Sequence, residues 1–347
     1  MEDLTPGRRR LGNNITIRHV AKEARVAVGT VSRVLNGHKS VSEDVRVRVQ
    51  KAVKKLGYEP DRLAQSMRLG VTHTVACVTR DISIAGFGSI VNAAADVLRE
   101  AGYTLLLAIT EEKKDLEIEL LRILAQRRVD AIIIATSNED DKELTRHLLE
   151  LGLPIVLLDR EKPEQLDAVM IDHRRGVRAA TEHLIALGHG TIALLTGSSA
   201  TRPARDRIAG FKDAMKGSAK GKGIVKTGAF SAEFGFRETS ALLAGKNAPT
   251  AIIAGGMAML SGVLQAVRVR GLQIPGDISI VAGADTELAA LATPAVTAIR
   301  WSGVDEGRIG VQLLLSRLKG NPEGPVQRVL LSTELIKRDS TGPAPKR

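Results

Sequence analysis

A small helical head followed by a two-lobed α/β body with parallel sheets is the fold this sequence predicts, and three observations predict it. Between Thr16 and Leu56, apolar residues recur at the i, i+3, i+4 spacing of helices in three short stretches. Beyond residue 71 the pattern changes to short apolar runs separated by helical stretches, the signature of parallel sheets wound with right-handed crossovers. The third observation is charge: residues 1–70 hold 15 Lys and Arg against 7 Asp and Glu, so +8 of the formal +11 sits in one fifth of the chain.

The first stretch carries Ile17, Val20, Ala21 and Ala24 on one stripe, with Thr16 placed to cap it. Arg25-Val26-Ala27 is a three-residue turn, and the next helix, Val28 to Leu35, buries Val31, Val34 and Leu35. Two short helices on a tight turn make a helix-turn-helix. The outward face of the second is small, hydroxylated and cationic, formed by Gly29, Thr30, Ser32 and Arg33. Ser42 is placed to cap a third helix whose stripe is Val45, Val49, Ala52, Val53 and Leu56. Met1 to Asn14 is polar and rich in Gly, Arg and Asn, and is expected to be a disordered tail. Pro60 ends the third helix, and only a short helix fits before Gly70, too short to be stable alone. Nine apolar runs follow: VACV, LLLAI, AIIIA, PIVLL, AVMI, IALL, AIIAG, ISIV and AVTAI. Nine or more strands suggest two lobes, and ligands of such sheets bind at the carboxyl ends of the strands.

A length of 347 residues, 44% of them hydrophobic and 26% charged, allows two or three domains with sizeable cores. A basic module on a nearly neutral body points to a polyanion; charge alone fits a solvated surface, and only with the helix-turn-helix does it select DNA. Cys77, the one cysteine, cannot form an internal disulfide and reads as a packed core residue. Seven scattered histidines without an HExxH or cysteine pairs give no metal site. No apolar run of signal-peptide or membrane-span length follows Arg8 to Arg10, so neither export nor a membrane is expected. Catalytic motifs are lacking. Gly86-Phe87-Gly88 would need a third glycine where Val91 stands, and Lys216 to Lys222, KGSAKGK, is one residue short of a phosphate loop and reads as a linker. No cofactor and no catalytic residues are expected.

The stretches TIRHVAKEA (Thr16–Ala24), TVSRVLNG (Thr30–Gly37), VSEDVRVRV and LGYEPDRLAQSM resemble the lactose repressor (LacI/GalR) family of bacterial transcription regulators. The resemblance implies a helix-turn-helix domain at 15–60, a hinge helix at 61–70, and a type I periplasmic-binding-protein-like body at 71–339. Its lobes would be 71–171 with 300–325 and 172–299 with 326–339, leaving a flexible tail at 340–347. Double-stranded operator DNA, a small-molecule effector and a second copy of the chain are the implied partners, in the bacterial cytoplasm. Repression is expected over activation. Arg33 has the forked donors that match guanine O6 and N7, and Val28 can meet a thymine methyl. Thr16, Thr30, Ser32, Asn36, Ser42 and Tyr58 match family positions that hold phosphates, with local capping as the alternative for any one hydroxyl. Met67 stands where the family places a leucine wedge in the minor groove; a packing pair with Leu63 is the alternative. Two departures weaken the module: Arg25 replaces a glycine, and Ala27 replaces a serine cap.

In the body, ATEHLIALGHGTIALLTG (Ala180–Gly197) and RIAGFKDAM (Arg207–Met215) carry the resemblance. They imply an effector cleft gripped by Arg207 and Asp159, with Phe87, Phe230 and Trp301 as apolar or flat walls; for those three a core role is the alternative. Gly256 and Met257 replace the family's Asn-Asp, and Ala284 replaces the first of two aspartates. Losing those groups while keeping Arg202, Arg205 and Arg207 near the rim favours an anionic effector such as a sugar acid or phosphosugar over a neutral sugar. A regulator without effector response, a small-molecule receptor and a nicotinamide-dependent oxidoreductase are the alternatives.

Overall fold

The computed structural model describes residues 15–35, 37–38, 40–58, 70–82, 86–111, 113–217, 221–320 and 324–346, and the chain divides into two compact units, Met1–Thr72 and His73–Arg347. In the first unit, helices α1 (Ile17–Ala24), α2 (Val28–Leu35) and α3 (Glu43–Leu56) form where the apolar spacing places them. Val20, Val31 and Val49 are fully buried at their junction, with Ala21, Ala24, Val34 and Ala52 closing the core. Each buried valine stabilises the head by about 1.5–3 kcal/mol, so a core this small has little in reserve. Arg25 ends α1 in the left-handed conformation at φ 54°, with its N–H turned back on the helix carbonyls, the geometry that favours glycine. A Lys55–Glu23 ion pair of 2.7 Å ties α3 to α1.

The second unit holds two six-stranded sheets. The first lobe contains β1 (Thr74–Thr79), β2 (Thr104–Ile109), β3 (Ala131–Ile134), β4 (Ile155–Leu158) and β5 (Asp167–Ile171), interleaved with α4 (Phe87–Glu100), α5 (Lys114–Gln126) and α6 (Lys142–Glu150). The second lobe begins with α7 (His173–Ala186) and continues through β6 (Thr191–Thr196), α8 (Arg202–Lys216), β7 (Lys222–Thr227), α9 (Ala232–Ala244), β8 (Ala251–Ala254), α10 (Met259–Val269), β9 (Ser279–Ala282), α11 (Glu287–Leu291) and β10 (Thr297–Arg300). The chain then returns to the first lobe as α12 (Gly303–Leu318) and β11 (Arg328–Leu331), and crosses back as β12 (Glu334–Ile336). Strand order is β11-β5-β4-β3-β1-β2 in one sheet and β12-β10-β9-β8-β6-β7 in the other, every pairing parallel except β10 with β12.

Alternation along each strand builds a core on both faces. Val75, Cys77, Ile133 and Val156 face α4 and α12, while Ala76, Val78, Ile132 and Ile134 face α5 and α6. The second sheet repeats this, with Leu195, Ile252 and Ile280 in the cluster with α9 and α10, and Leu194, Ile253 and Val281 in the cluster with α7 and α8. At Gly262 on α10, an added Cβ would run into the Ala232 carbonyl oxygen and the Phe236 amide, so only glycine lets α9 and α10 pack this closely.

Three expectations need correction. The segment 326–331 is expected in the second lobe, but β11 pairs with β5 in register Arg328 to Ala168, in the first. Lys222, expected to end a linker, opens β7, which pairs with β6 along its whole length. The segment from residue 340 is no loose tail: Ser340 is fully buried, its hydroxyl donating to the Ile280 carbonyl at 2.6 Å, and the Ala344 N–H donates to the Leu187 carbonyl at 2.9 Å. The expectations for 1–14, for Asn36, and for the hinge with Met67 fall outside the described residues.

Candidate functional site

The first candidate surface is the head. Val28, Gly29 and Arg33 are exposed on α2, Thr30 and Ser32 are half-buried beside them, and Val31 and Val34 point inward. One helix thus presents a basic, small-residue face while its other face is fixed in the core, which positions Arg33 on a rigid element. Thr16 is exposed at the start of α1, where its backbone N–H donates to His19 Nδ1 at 3.0 Å. Ser42 is exposed and precedes α3, without a capping bond from its hydroxyl. Tyr58 packs half-buried against the helical core.

The second candidate is a cavity of about 480 Å³ at the carboxyl ends of the strands, between the lobes of the second unit. Arg80 follows β1, Phe87 opens α4 and Asp159 follows β4; Arg207 on α8, Phe230 after β7 and Trp301 after β10 complete the lining. Phe87, Asp159, Arg207, Phe230 and Trp301 therefore converge as expected. Arg202 and Arg205 do not line it. Arg202 is bound to Asp206 at 2.7 Å and to the Ile171 carbonyl at 3.1 Å, and Arg205 to Glu161 at 2.8 Å. Both serve to hold the lobes against each other: Glu139 of the first lobe, almost fully buried, accepts from the Arg202 backbone N–H and from Arg205.

The cavity floor is a polar network that the sequence reading missed in part. Asp159 sits at φ 51°, a conformation costly for a non-glycine residue, and its Oδ2 lies 2.8 Å from His173 Nε2. Burial pushes this carboxyl upward, but the charge and hydrogen bond of His173, with Arg160 and Arg207 behind, overcome burial and hold it well below the usual carboxylate range. His173 is itself pushed down, first by burial and then by Arg207, against the opposing pull of Asp159. Its ring lies 3.3 Å from an Arg207 terminal nitrogen and stacks edge-on against Trp301, centroids 5.5 Å apart. Arg160 is buried too, donating to the Thr136 carbonyl at 2.6 Å and to the Asp159 carbonyl at 2.9 Å.

Glu306, on the first turn of α12, lines the cleft and is only 3% exposed; burial first, and the Asp159 charge second, raise its pKa well above the ordinary carboxylate value. Burial also pushes the Cys77 thiol up to about 12, which makes it an inert core group. Glycine at 256 has a steric reason: a Cβ there would overlap the Phe230 ring. Asp285, the surviving carboxylate of its pair, is neutralised by Arg300 at 2.7 Å and Arg338 at 2.6 Å. Sequence could have flagged Arg80 and Glu306 only through the strand and helix ends they follow, since neither belongs to a motif.

Comparison with known proteins separates the two units in the same way. Residues 16–61 match the sequence profile of the bacterial regulatory proteins of the lacI family, and residues 181–341 that of the periplasmic binding protein-like domain. The HTH-type transcriptional regulator DegA of Bacillus subtilis is 32% identical over 337 residues, covering 94% of this chain and 98% of the relative. The chain belongs to the lacI family. The ribose operon repressor of Escherichia coli K12 is likewise 32% identical, over 94% of this chain and 99% of its own length. Among solved structures, the lac repressor dimer bound to operator and the anti-inducer ONPF superposes with a TM-score of 0.84 at 28% identity, covering 95% of this chain and all of that one (100%). A CelR–cellobiose complex gives 0.70 at 30% identity, with 94% and 99% covered. As a lacI-family protein the chain is a DNA-binding transcription regulator and not an enzyme, which removes the oxidoreductase and the transport receptor. Among the described residues, no helix is long and apolar enough to cross a membrane.

Proposed function

We propose that this lacI-family regulator is a cytoplasmic repressor that binds a near-palindromic operator as a homodimer and is controlled by an anionic small molecule, a sugar acid or phosphosugar, in the cleft between its lobes. The observation that carries the reading is the pairing, in one chain, of a basic recognition helix with a cavity lined from both lobes. Such a cavity couples to lobe geometry because any ligand there touches two bodies that can move relative to each other. Two relatives support the operator-binding dimer and the small-molecule control: a lac repressor dimer bound to operator, and a CelR complex with cellobiose. In this reading Arg33 reads guanine, Val28 and Gly29 approach base edges, and Thr16, Thr30, Ser32, Asn36, Ser42 and Tyr58 hold phosphates. Met67 wedges the minor groove.

Capture of genomic fragments on the purified protein, followed by footprinting, tests it. The expected result is a protected site with twofold symmetry, two chains per site, and affinity falling steeply with salt. Equal retention of scrambled and genomic fragments at low ionic strength would overturn it.

A further inference from the structure

Three guanidinium groups line the cleft. They are Arg80, Arg160 and Arg207; Arg207, 5% exposed, has its pKa brought down to about 10, first by burial and then by the charges of Arg80 and Arg160. Against them stands Asp159, already 2.8 Å from His173 Nε2 and 3.6 Å from Arg202 Nη1. Burial raises the pKa of Glu306, Asp285 is committed to Arg300 and Arg338, and at the rim Asp141 is bound to Lys114 at 2.9 Å. The Nε of Arg207 has no hydrogen-bond partner among the described residues, although the side chain is almost wholly out of water. A buried guanidinium donor without an acceptor asks for one from a ligand.

Two of these arginines meet at one ring. Arg80, on the first lobe, lies 4.1 Å from the Phe230 centroid, and Arg207, on the second, lies 5.9 Å from it. We propose that Arg80 is the specificity-determining residue of the cleft: with Arg207 it clamps the oxyanion of the effector, one guanidinium from each lobe, beside the Phe230 ring. This rests on the reading of the cleft as an effector site. The clamp favours a carboxylate or phosphate because forked guanidinium donors match two oxygens of one anion, and because the anion relieves the repulsion between like charges on opposite lobes. Neutral polyols gain neither effect. At Met257 and Ala284 the lining offers no hydroxyl, amide or carboxylate side chain to a polyol.

The chain's one tryptophan, Trp301, lines the cavity and reports on it. Full-length wild type, Arg80→Gln and Arg80→Lys are titrated with inorganic phosphate, gluconate, glucose 6-phosphate and glucose at constant ionic strength, following Trp301 emission and the thermal unfolding midpoint. At least one of the three anions is expected to bind wild type, glucose is not, and Arg80→Gln is expected to weaken the anion about tenfold to a hundredfold, with Arg80→Lys between. Unchanged unfolding midpoints without ligand show that the variants fold. Equal anion binding by Arg80→Gln, silence from all three anions, or glucose binding as tightly as the anions overturns the clamp. An operator-affinity measurement separates the two readings. Anion binding through Arg80 that leaves operator affinity unchanged keeps the clamp and removes effector control; a neutral sugar that alone shifts operator affinity does the reverse.

Discussion

Replacing Glu306 by glutamine should stabilise the body at neutral pH, and the gain should grow with pH. The side chain is 3% exposed at the start of α12, accepts a hydrogen bond from Trp301, and feels the Asp159 charge. Burial and that charge raise its folded pKa well above the ordinary 4.5. Above pH 4.5 the unfolded chain releases this proton while the folded chain keeps it, so folding takes up a proton and stability falls as pH rises. The slope is about 1.4 kcal/mol per pH unit until the folded group itself ionises, so up to ~3 kcal/mol is lost between pH 5 and 7. Glutamine has nearly the same shape, keeps an acceptor for the indole N–H and carries no proton to titrate. Urea unfolding of both proteins at pH 5, 6 and 7, followed by Trp301 emission, gives the stability difference at each pH. The depressed histidines, His173, His183 and His189, add stability as pH rises toward and past 6.5, but they do so in both proteins and drop out of the difference. A difference that stays flat from pH 5 to 7, or a variant less stable at pH 7, would refute the neutral buried acid.

In the head, Arg25→Gly should relieve the left-handed residue at φ 54° and raise stability by about 1 kcal/mol, read as stronger amide-exchange protection of α1 and α2 in the full chain. Ser340→Ala should cost about 1–3 kcal/mol in urea unfolding, because the buried Ile280 carbonyl and Thr297 N–H both lose their partner. Gly262→Ala should destabilise the second lobe by about 1–3 kcal/mol, since the new methyl group meets backbone atoms that cannot move aside cheaply; urea unfolding measures this too. Arg33→Ala should relax operator choice at one base pair by about 1–3 kcal/mol, visible in competition binding against single-base variants; an unchanged preference at every position would remove it from base reading.

Where one face of an element is pinned by burial, its residues declare it in order along the chain. That is why α1, α2 and α3 and the nine central or strongly apolar strands were legible, and why Val31 and Val34 could be assigned inward and Arg33 outward from spacing alone. The strands that escaped, β7, β11 and β12, all lie at sheet edges, where one side has no neighbour and apolar side chains are less needed. Ser340 was misjudged for a related reason. STGPAPKR looks like solvent-facing chain, and only its hydrogen bonds to β9 and β10 bury it.

The amino-acid order by itself settled the basic three-helix head and the alternation that makes two wound sheets, because local periodicity encodes them, whereas the expected cleft residues came only from resemblance to a family. Tertiary structure alone decided which charges the cleft holds. Arg202 and Arg205 are neighbours of Arg207 in sequence, yet Arg202 turns to Asp206 on its own helix and to the Ile171 carbonyl, and Arg205 to Glu161 of the other lobe, while Arg80, Arg160, His173 and Glu306 arrive from distant strand and helix ends. Whether a side chain is charged, paired or neutral depends on what surrounds it in three dimensions, through burial and the distance to other charges, and no stretch of sequence contains that neighbourhood.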